Sequence, residues 1–154
     1  MLKYIGIVKE NIEGKGVIEI YKEFENGLIK IEDFSHLIVI SWLNKVTEEQ
    51  RNTLIVKPRG LLKYGFKLEE LPEVGVFCTD SPHRPNPIAI SIVKLIKREG
   101  NILFVENLDL FEGTPILDIK AFTPARCPED VKVPKWVEEF EKKLKEIRGN
   151  KVPF

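Results

Sequence analysis

Ser81-Pro82-His83-Arg84-Pro85-Asn86-Pro87 is the most confined stretch of the chain, with three of its ten prolines inside seven residues. Each proline fixes its own φ and has no N–H to give to a sheet. Each also drives the residue before it into the extended region. Those residues are Ser81, Arg84 and Asn86, a hydroxyl, a guanidinium and a carboxamide. The block runs between Val74-Gly75-Val76-Phe77-Cys78 and the apolar Ile88-Ala89-Ile90. Two readings stand open. The stiff polar loop holds out preorganised hydrogen-bonding groups to a ligand, or it is a rigid crossover between two strands.

At 154 residues the chain suits a single domain with a real core. Hydrophobic content of 43% and charged content of 31% describe a globular protein rather than a disordered one. Twenty-four basic residues balance twenty-four acidic ones, so any nucleic-acid surface has to be a local patch. Cys78 and Cys127 supply neither a disulfide framework nor metal spacing. A reducing, cytoplasmic setting is expected. Met1-Leu2-Lys3-Tyr4-Ile5 lacks the apolar region of a signal peptide, and no run approaches membrane-spanning length. The charge is mostly Lys and Glu, with one glutamine and one methionine, a composition that leans toward a thermophilic source.

Strands are expected at Tyr4–Val8, Val17–Tyr21 (which alternates), Ile88–Ile96, Ile102–Val105 and Ile116–Phe122. A charged turn is expected around Asn11 to Gly14, and Leu28–Ile31 fits either a strand or a helical turn. His36 to Leu43 is apolar nearly throughout, which predicts a strand covered on both faces. Leu108 to Pro115 reads as a strand end and turn. The clearest element is a helix over about 134–148, with Trp136, Val137, Phe140, Leu144 and Ile147 in one apolar stripe and Gly149 as its stop. Glu138, Glu139 and Glu141 fall early and Lys142, Lys143, Lys145 and Arg148 late, as the macrodipole favours. Six or more strands closed by one helix predict a small, mainly β domain of barrel type.

Several chemistries are absent from the sequence. It holds no G-x-G-x-x-G, no P-loop and no G-x-S-x-G elbow. His36 and His83 are the only histidines and have no zinc-site spacing, so no metal is expected. His36 opens a hydrophobic strand and reads as structural. Asp109 and Glu112 flank a Gly113-Thr114-Pro115 turn, where carboxylates commonly cap backbone N–H groups. Lys57, Arg59, Lys63 and Lys67, interleaved with Tyr64 and Phe66, suit either phosphate contacts with base stacking or a plain solvated loop.

Three blocks occur in the order typical of one family. They are Phe34-Ser35-His36-Leu37, then Gly75-Val76-Phe77 leading into Ser81 to Ile88, then Asp109-Leu110-Phe111-Glu112-Gly113-Thr114-Pro115-Ile116-Leu117-Asp118-Ile119-Lys120. From about Tyr4 to Phe122 the chain resembles the TsaA-like (TrmO) family, whose characterised members are S-adenosylmethionine-dependent tRNA methyltransferases. The resemblance implies a non-Rossmann β-barrel with a C-terminal helix, spanning residues 1–154 as one domain and usually a homodimer. It also implies methylation of N6 of threonylcarbamoyladenosine in tRNA.

By position, the resemblance lines the cofactor site with Asn44, Lys45, Asp80, Ile90, Asp109, Leu110, Phe111 and Glu112. Ser81, His83, Arg84 and Asn86 become substrate-orienting candidates, while Arg84 has the alternative of a salt bridge that pins the loop. No residue is singled out as a catalytic base. The chain also departs from fuller members. Val8 to Val17 is short and lacks their Pro-Arg-Gln element, Asp80 stands where they carry a basic residue, and Asn44-Lys45 replaces a His-Gln pair. Two alternatives therefore stay open beside methyl transfer: a non-catalytic S-adenosylmethionine-binding barrel, and a cofactor-free RNA-binding barrel using Lys57 to Lys67.

Overall fold

A computed structural model describes residues 1–148, so the helix stop expected at Gly149 lies outside the described residues. In chain order the elements are β1 (Gly6–Ile12), β2 (Lys15–Ile20), β3 (His36–Trp42), α1 (Glu48–Arg51), β4 (Ile55–Val56), β5 (Val74–Gly75), β6 (Ile88–Glu99), β7 (Ile102–Glu106), β8 (Pro115–Ala121) and α2 (Lys135–Arg148). They form two compact units, one of Met1–Thr47 with Asn86–Cys127, the other of Glu48–Pro85 with the chain from Pro128.

The first unit is a closed antiparallel barrel in the order β1-β2-β7-β6-β3-β8. Closure leaves no free strand edge. The seam between β8 and β1 is short, carried by Gly6 opposite Ile116 and Ile7 opposite Pro115. By contrast β3 pairs with β6 along its whole length, from His36 opposite Lys94 to Trp42 opposite Ile88. Register shifts at Val8/Glu10, Ile40/Ser41 and Leu95/Lys97 supply local bends of the kind a barrel needs. The interior is filled by the inward residues of every strand, among them Val8, Ile18, Leu37, Val39, Val93, Leu103, Val105 and Ile116. Leu28, Leu108 and Leu110 join this core from the connections.

The elements sharpen the sequence reading. β1 begins later than predicted and runs on through the polar Lys9-Glu10-Asn11, because pairing with β2 extends to Ile12 opposite Lys15. Leu28–Ile31 is no strand: Lys22–Leu28 is a 3-10 turn that drops Leu28 into the core, and Lys30 has φ +71°. β3 is not covered on both faces. Leu37, Val39 and Ser41 are buried while His36, Ile38, Ile40 and Trp42 are half-covered, so the continuous apolar run marks an outer face that is only partly wet.

The second unit packs short segments around α2. β4 and β5 pair through Ile55 opposite Gly75 and Val56 opposite Val74. Leu61, Leu71, Val76 and Leu144 are its buried residues. Phe140 of α2 receives the rings of Tyr64 and Phe66, at 6.3 and 5.9 Å between centroids. Leu144 is the buried member of the predicted helix stripe; Trp136, Val137 and Phe140 are half-covered, and Ile147 lies 54% exposed. Among the described residues no helix is long and apolar enough to cross a membrane.

Candidate functional site

A cleft of about 500 Å³ opens on the barrel unit, walled by Asn11, Glu13, Gly14, Lys45, Asp109, Leu110, Phe111 and Glu112. Its main wall is the connection from β7 to β8, whose shape the sequence dictates. Asn107 and Gly113 both adopt positive φ, +63° and +86°, so the segment leaves β7 and enters β8 through left-handed corners. Within it the Thr114 hydroxyl donates to the Phe111 carbonyl at 2.6 Å. Pro115 then opens β8 at a position a proline tolerates.

Three strands hold this segment. Val8 donates its N–H to the Thr114 carbonyl at 2.9 Å, and its own carbonyl accepts from Gly113 N at 2.8 Å. The Asn11 carboxamide donates to the carbonyls of Leu108 (3.0 Å) and Leu110 (2.7 Å), while its Oδ1 accepts from Gly14 N at 2.9 Å. The buried Ser91 hydroxyl on β6 donates to Asp109 Oδ1. Gly16 completes the fit, since a Cβ there would collide with the Leu108 side chain. Leu108 and Leu110 are consequently buried, and Asp109, Phe111 and Glu112 face outward.

Lys45 comes from the end of β3. Leu43 N donates to the Pro87 carbonyl at 2.8 Å, and Val46 N closes a turn on the Leu43 carbonyl at 3.1 Å. That turn raises Asn44 and Lys45, and Lys45 Nζ sits 5.6 Å from the centre of the Phe111 ring. The Leu43–Pro87 bond also sets Asn86, whose carbonyl accepts from Ile88 N at 2.7 Å, beside the Asn44-Lys45 turn. The cleft thus combines one ammonium, three carboxylates (Glu13, Asp109, Glu112) and an aromatic ring that is 77% exposed. Such a site suits a small molecule that carries more positive than negative charge, together with a flat ring.

Of the residues singled out from sequence, Lys45 and Asp109 to Glu112 share this cleft. Asn44 is exposed next to it, and Ile90 lies 66% exposed on the outer face of β6. Neither belongs to the cleft wall. Asp80, Ser81, His83 and Arg84 belong to the second unit. There Arg84 makes no ion pair among the described residues. Its Nη1 donates to the carbonyls of Thr79 (2.7 Å) and Ser81 (3.4 Å), tying the proline loop to itself, and Arg51 Nε donates to the Pro85 carbonyl at 2.8 Å. Asp80 and His83 are exposed. His36 is half-buried and hydrogen-bonded through Nδ1 to the Ser35 hydroxyl at 2.8 Å. Among the described residues no three His, Cys, Asp or Glu side chains gather as a metal site.

Asn11, Glu13 and Gly14 were not among the residues singled out. The available signal was the Asn11-to-Gly14 turn itself, an Asx-type corner whose carboxamide has a second end free to reach elsewhere.

Comparison with known proteins decides the family. The family model described as the tRNA-methyltransferase O N-terminal domain matches residues 8–126. The chain belongs to this family. A relative from Pyrococcus abyssi, named a probable S-adenosyl-L-methionine-binding protein, is 40% identical over 137 residues, covering 88% of this chain and 67% of that protein. A protein of the same description from Methanocaldococcus jannaschii is 40% identical over 130 residues, covering 83% and 97%. The mouse tRNA (adenine(37)-N6)-methyltransferase is 34% identical over 107 residues, covering 67% of this chain and 22% of its own. The crystal structure of TrmO from Pseudomonas aeruginosa superposes with a TM-score of 0.63 at 24% identity, over 86% of this chain and 60% of that one. This tRNA-methyltransferase O family member therefore shares the barrel of the solved structures and spans about three fifths of their length.

Proposed function

We propose that the protein binds S-adenosylmethionine in the Asn11–Lys45–Asp109–Glu112 cleft and uses it to methylate tRNA, with N6 of threonylcarbamoyladenosine as the acceptor. The observation that carries the reading is the charge pattern of the cleft: three carboxylates and one ammonium around an exposed ring. The cofactor has a sulfonium, an ammonium and one carboxylate, so its excess positive charge complements this wall. Asp109 and Glu112 would hold the cationic end, Lys45 the carboxylate, and Phe111 the flat base. Relatives about 40% identical carry the cofactor in their names, which supports the same assignment.

Bound there, the cofactor supplies a methyl group on a positively charged sulfur. The chain's own contribution is alignment, because in-line displacement gains most from fixed geometry. Asn11 and Ser91 fix the loop and one carboxylate before any ligand arrives. Asn44 and Asp80 are proposed to extend the cofactor contacts, as is Ile90. Ser81, His83, Arg84 and Asn86 would orient the acceptor's carbamoyl and carboxylate groups from the stiff proline loop. A second copy of the chain is the proposed partner for the outer apolar face of β6, where Ile88 and Ile90 are exposed. Light scattering showing a monomer throughout would remove that part.

The test is calorimetric titration with S-adenosylmethionine, followed by transfer of labelled methyl to threonylcarbamoyl-modified tRNA. Binding with transfer is expected. Binding without transfer to any tRNA supports the second reading, a non-catalytic cofactor-binding barrel, which the relatives' names favour. Absence of binding by a folded protein overturns both.

A further inference from the structure

The second unit carries a cationic surface that the cleft does not use. Between Lys57 and Lys67 the chain has Lys57, Arg59, Lys63 and Lys67 and no carboxylate, although the whole sequence is charge-balanced. Some cations of the barrel unit are matched by acids: Lys9 with Glu19, Lys22 with Glu25, Arg98 with Glu32, Lys97 with Glu99. Among the described residues no carboxylate pairs with Lys57, Arg59, Lys63, Lys67 or Lys143.

The segment is also held in shape. Arg59–Tyr64 is a 3-10 turn anchored by buried Leu61, and Gly65 ends it at φ +88°. Tyr64 and Phe66 lean on Phe140, and Lys143 Nζ lies 4.3 Å from the centre of the Phe66 ring. Glu70 accepts from Lys67 N at 2.8 Å and so caps the next turn. The aromatics are therefore spent on packing against α2 rather than held out for bases. Arg59, Lys63 and Lys67 are exposed, with Leu62 the one exposed apolar side chain among them.

We infer that Arg59, Lys63 and Lys67, with Lys57 and Lys143 beside them, form a phosphate-contact surface that grips the sugar–phosphate backbone of an RNA substrate. The inference rests on the RNA-directed reading above and deepens it by naming the contacts. An array of cations with no carboxylate partner, its aromatic rings packed against a helix, recognises backbone charge, not sequence. Binding through it releases counterions and weakens with salt.

The experiment is fluorescence anisotropy of an unmodified tRNA transcript with the full chain across 50 to 200 mM KCl, run beside calorimetry with S-adenosylmethionine. Five phosphate contacts predict a log–log salt slope of about −3.5 to −4.5. The triple variant Arg59→Ser/Lys63→Ser/Lys67→Ser should lose at least tenfold in tRNA affinity at 50 mM salt and flatten the slope by about 2 to 3, with cofactor affinity unchanged. A control removing three paired barrel cations, Lys9→Ser/Lys22→Ser/Lys97→Ser, should bind tRNA as the wild type does. The surface is overturned if the triple variant, folded by its melting curve, keeps wild-type affinity and slope, or if the control loses as much. Should the triple variant misfold, Lys63→Glu alone carries the same test, with at least a fivefold loss expected and no loss overturning the proposal. Failure to bind the cofactor alongside salt-dependent tRNA binding lost in the variant would sink the cofactor reading and leave this surface standing. Cofactor binding with no tRNA binding would do the reverse.

Discussion

Ser91 and Asp109 lie 18 residues apart, and the buried hydroxyl of the first donates to Oδ1 of the second. A core position of β6 thereby fixes a carboxylate that faces the cleft. Because Asp109 is exposed, water replaces the lost donor in Ser91→Ala, and stability should change by less than about 1 kcal/mol. Orientation is what is lost. Affinity for S-adenosylmethionine should fall about five- to tenfold, the size of one ordinary hydrogen bond of about 1 kcal/mol. Unchanged affinity by calorimetry would reduce the pair to trimming of the barrel end.

Asn11 makes the larger structural contribution. Asn11→Ala leaves the Leu108 and Leu110 carbonyls and the Gly14 N–H without their partner, at a cost of about 1–3 kcal/mol in urea unfolding. Asn11→Asp is the sharper probe. The shape is kept, but a carboxylate would face two carbonyl oxygens it cannot donate to. It should be at least as destabilising as alanine, and cofactor affinity should fall with it. A well-tolerated aspartate would show that the Nδ2 bonds do not hold the loop.

Ser41 poses the opposite case. Its hydroxyl is fully buried on β3 and has no hydrogen-bond partner among the described residues. Ser41→Ala removes an unsatisfied polar group at little loss of volume, so the melting temperature should hold or rise, by up to about 1 kcal/mol of stability. A clear drop in stability would mean the hydroxyl has a partner in solution.

The Glu32 carboxyl is held below its ordinary value, first by a hydrogen bond from its own backbone, which outweighs the opposing effect of desolvation, and then by Arg98, whose Nη1 lies 3.3 Å away. A lowered carboxylate stabilises the fold above its ordinary range and loses that contribution as pH falls through the lowered value. Glu32→Gln should therefore differ from wild type at neutral pH and converge with it in acid. Melting curves that stay equally separated from pH 7 down to the acid limb would contradict the assignment.

The barrel was legible because short apolar runs bounded by turn residues, such as those of β2, β6, β7 and β8, are local signals, and the Gly113-Thr114-Pro115 corner announces its own geometry. The contacts that build the cleft are not local. Asn11 reaches carbonyls 97 and 99 residues away, and only strand register places them together. Nothing near Asn11 in the sequence encodes that register. Apolarity misled at β3, where an outer face rich in isoleucine and tryptophan read as buried. At Tyr64 and Phe66 neither base stacking nor a plain solvated loop describes the outcome, since both rings pack on a helix more than seventy residues away in the chain.

The proline loop separates holding from recognising. Arg84 Nη1 bonds the carbonyls of Thr79 and Ser81, whereas the Asn86 side chain is on an exposed residue. Arg84→Ala removes a tie and should lower the melting temperature by a few degrees, corresponding to about 1 kcal/mol. Asn86→Ala should leave it unchanged. If both orient the acceptor, each variant should lose at least tenfold in kcat/KM for modified tRNA while binding S-adenosylmethionine with wild-type affinity. If the loop is only a crossover, Asn86→Ala will transfer methyl groups as well as wild type. Arg84→Ala would then regain full activity at temperatures well below its own melting point, and that recovery would reassign the guanidinium from orienting the acceptor to pinning the chain.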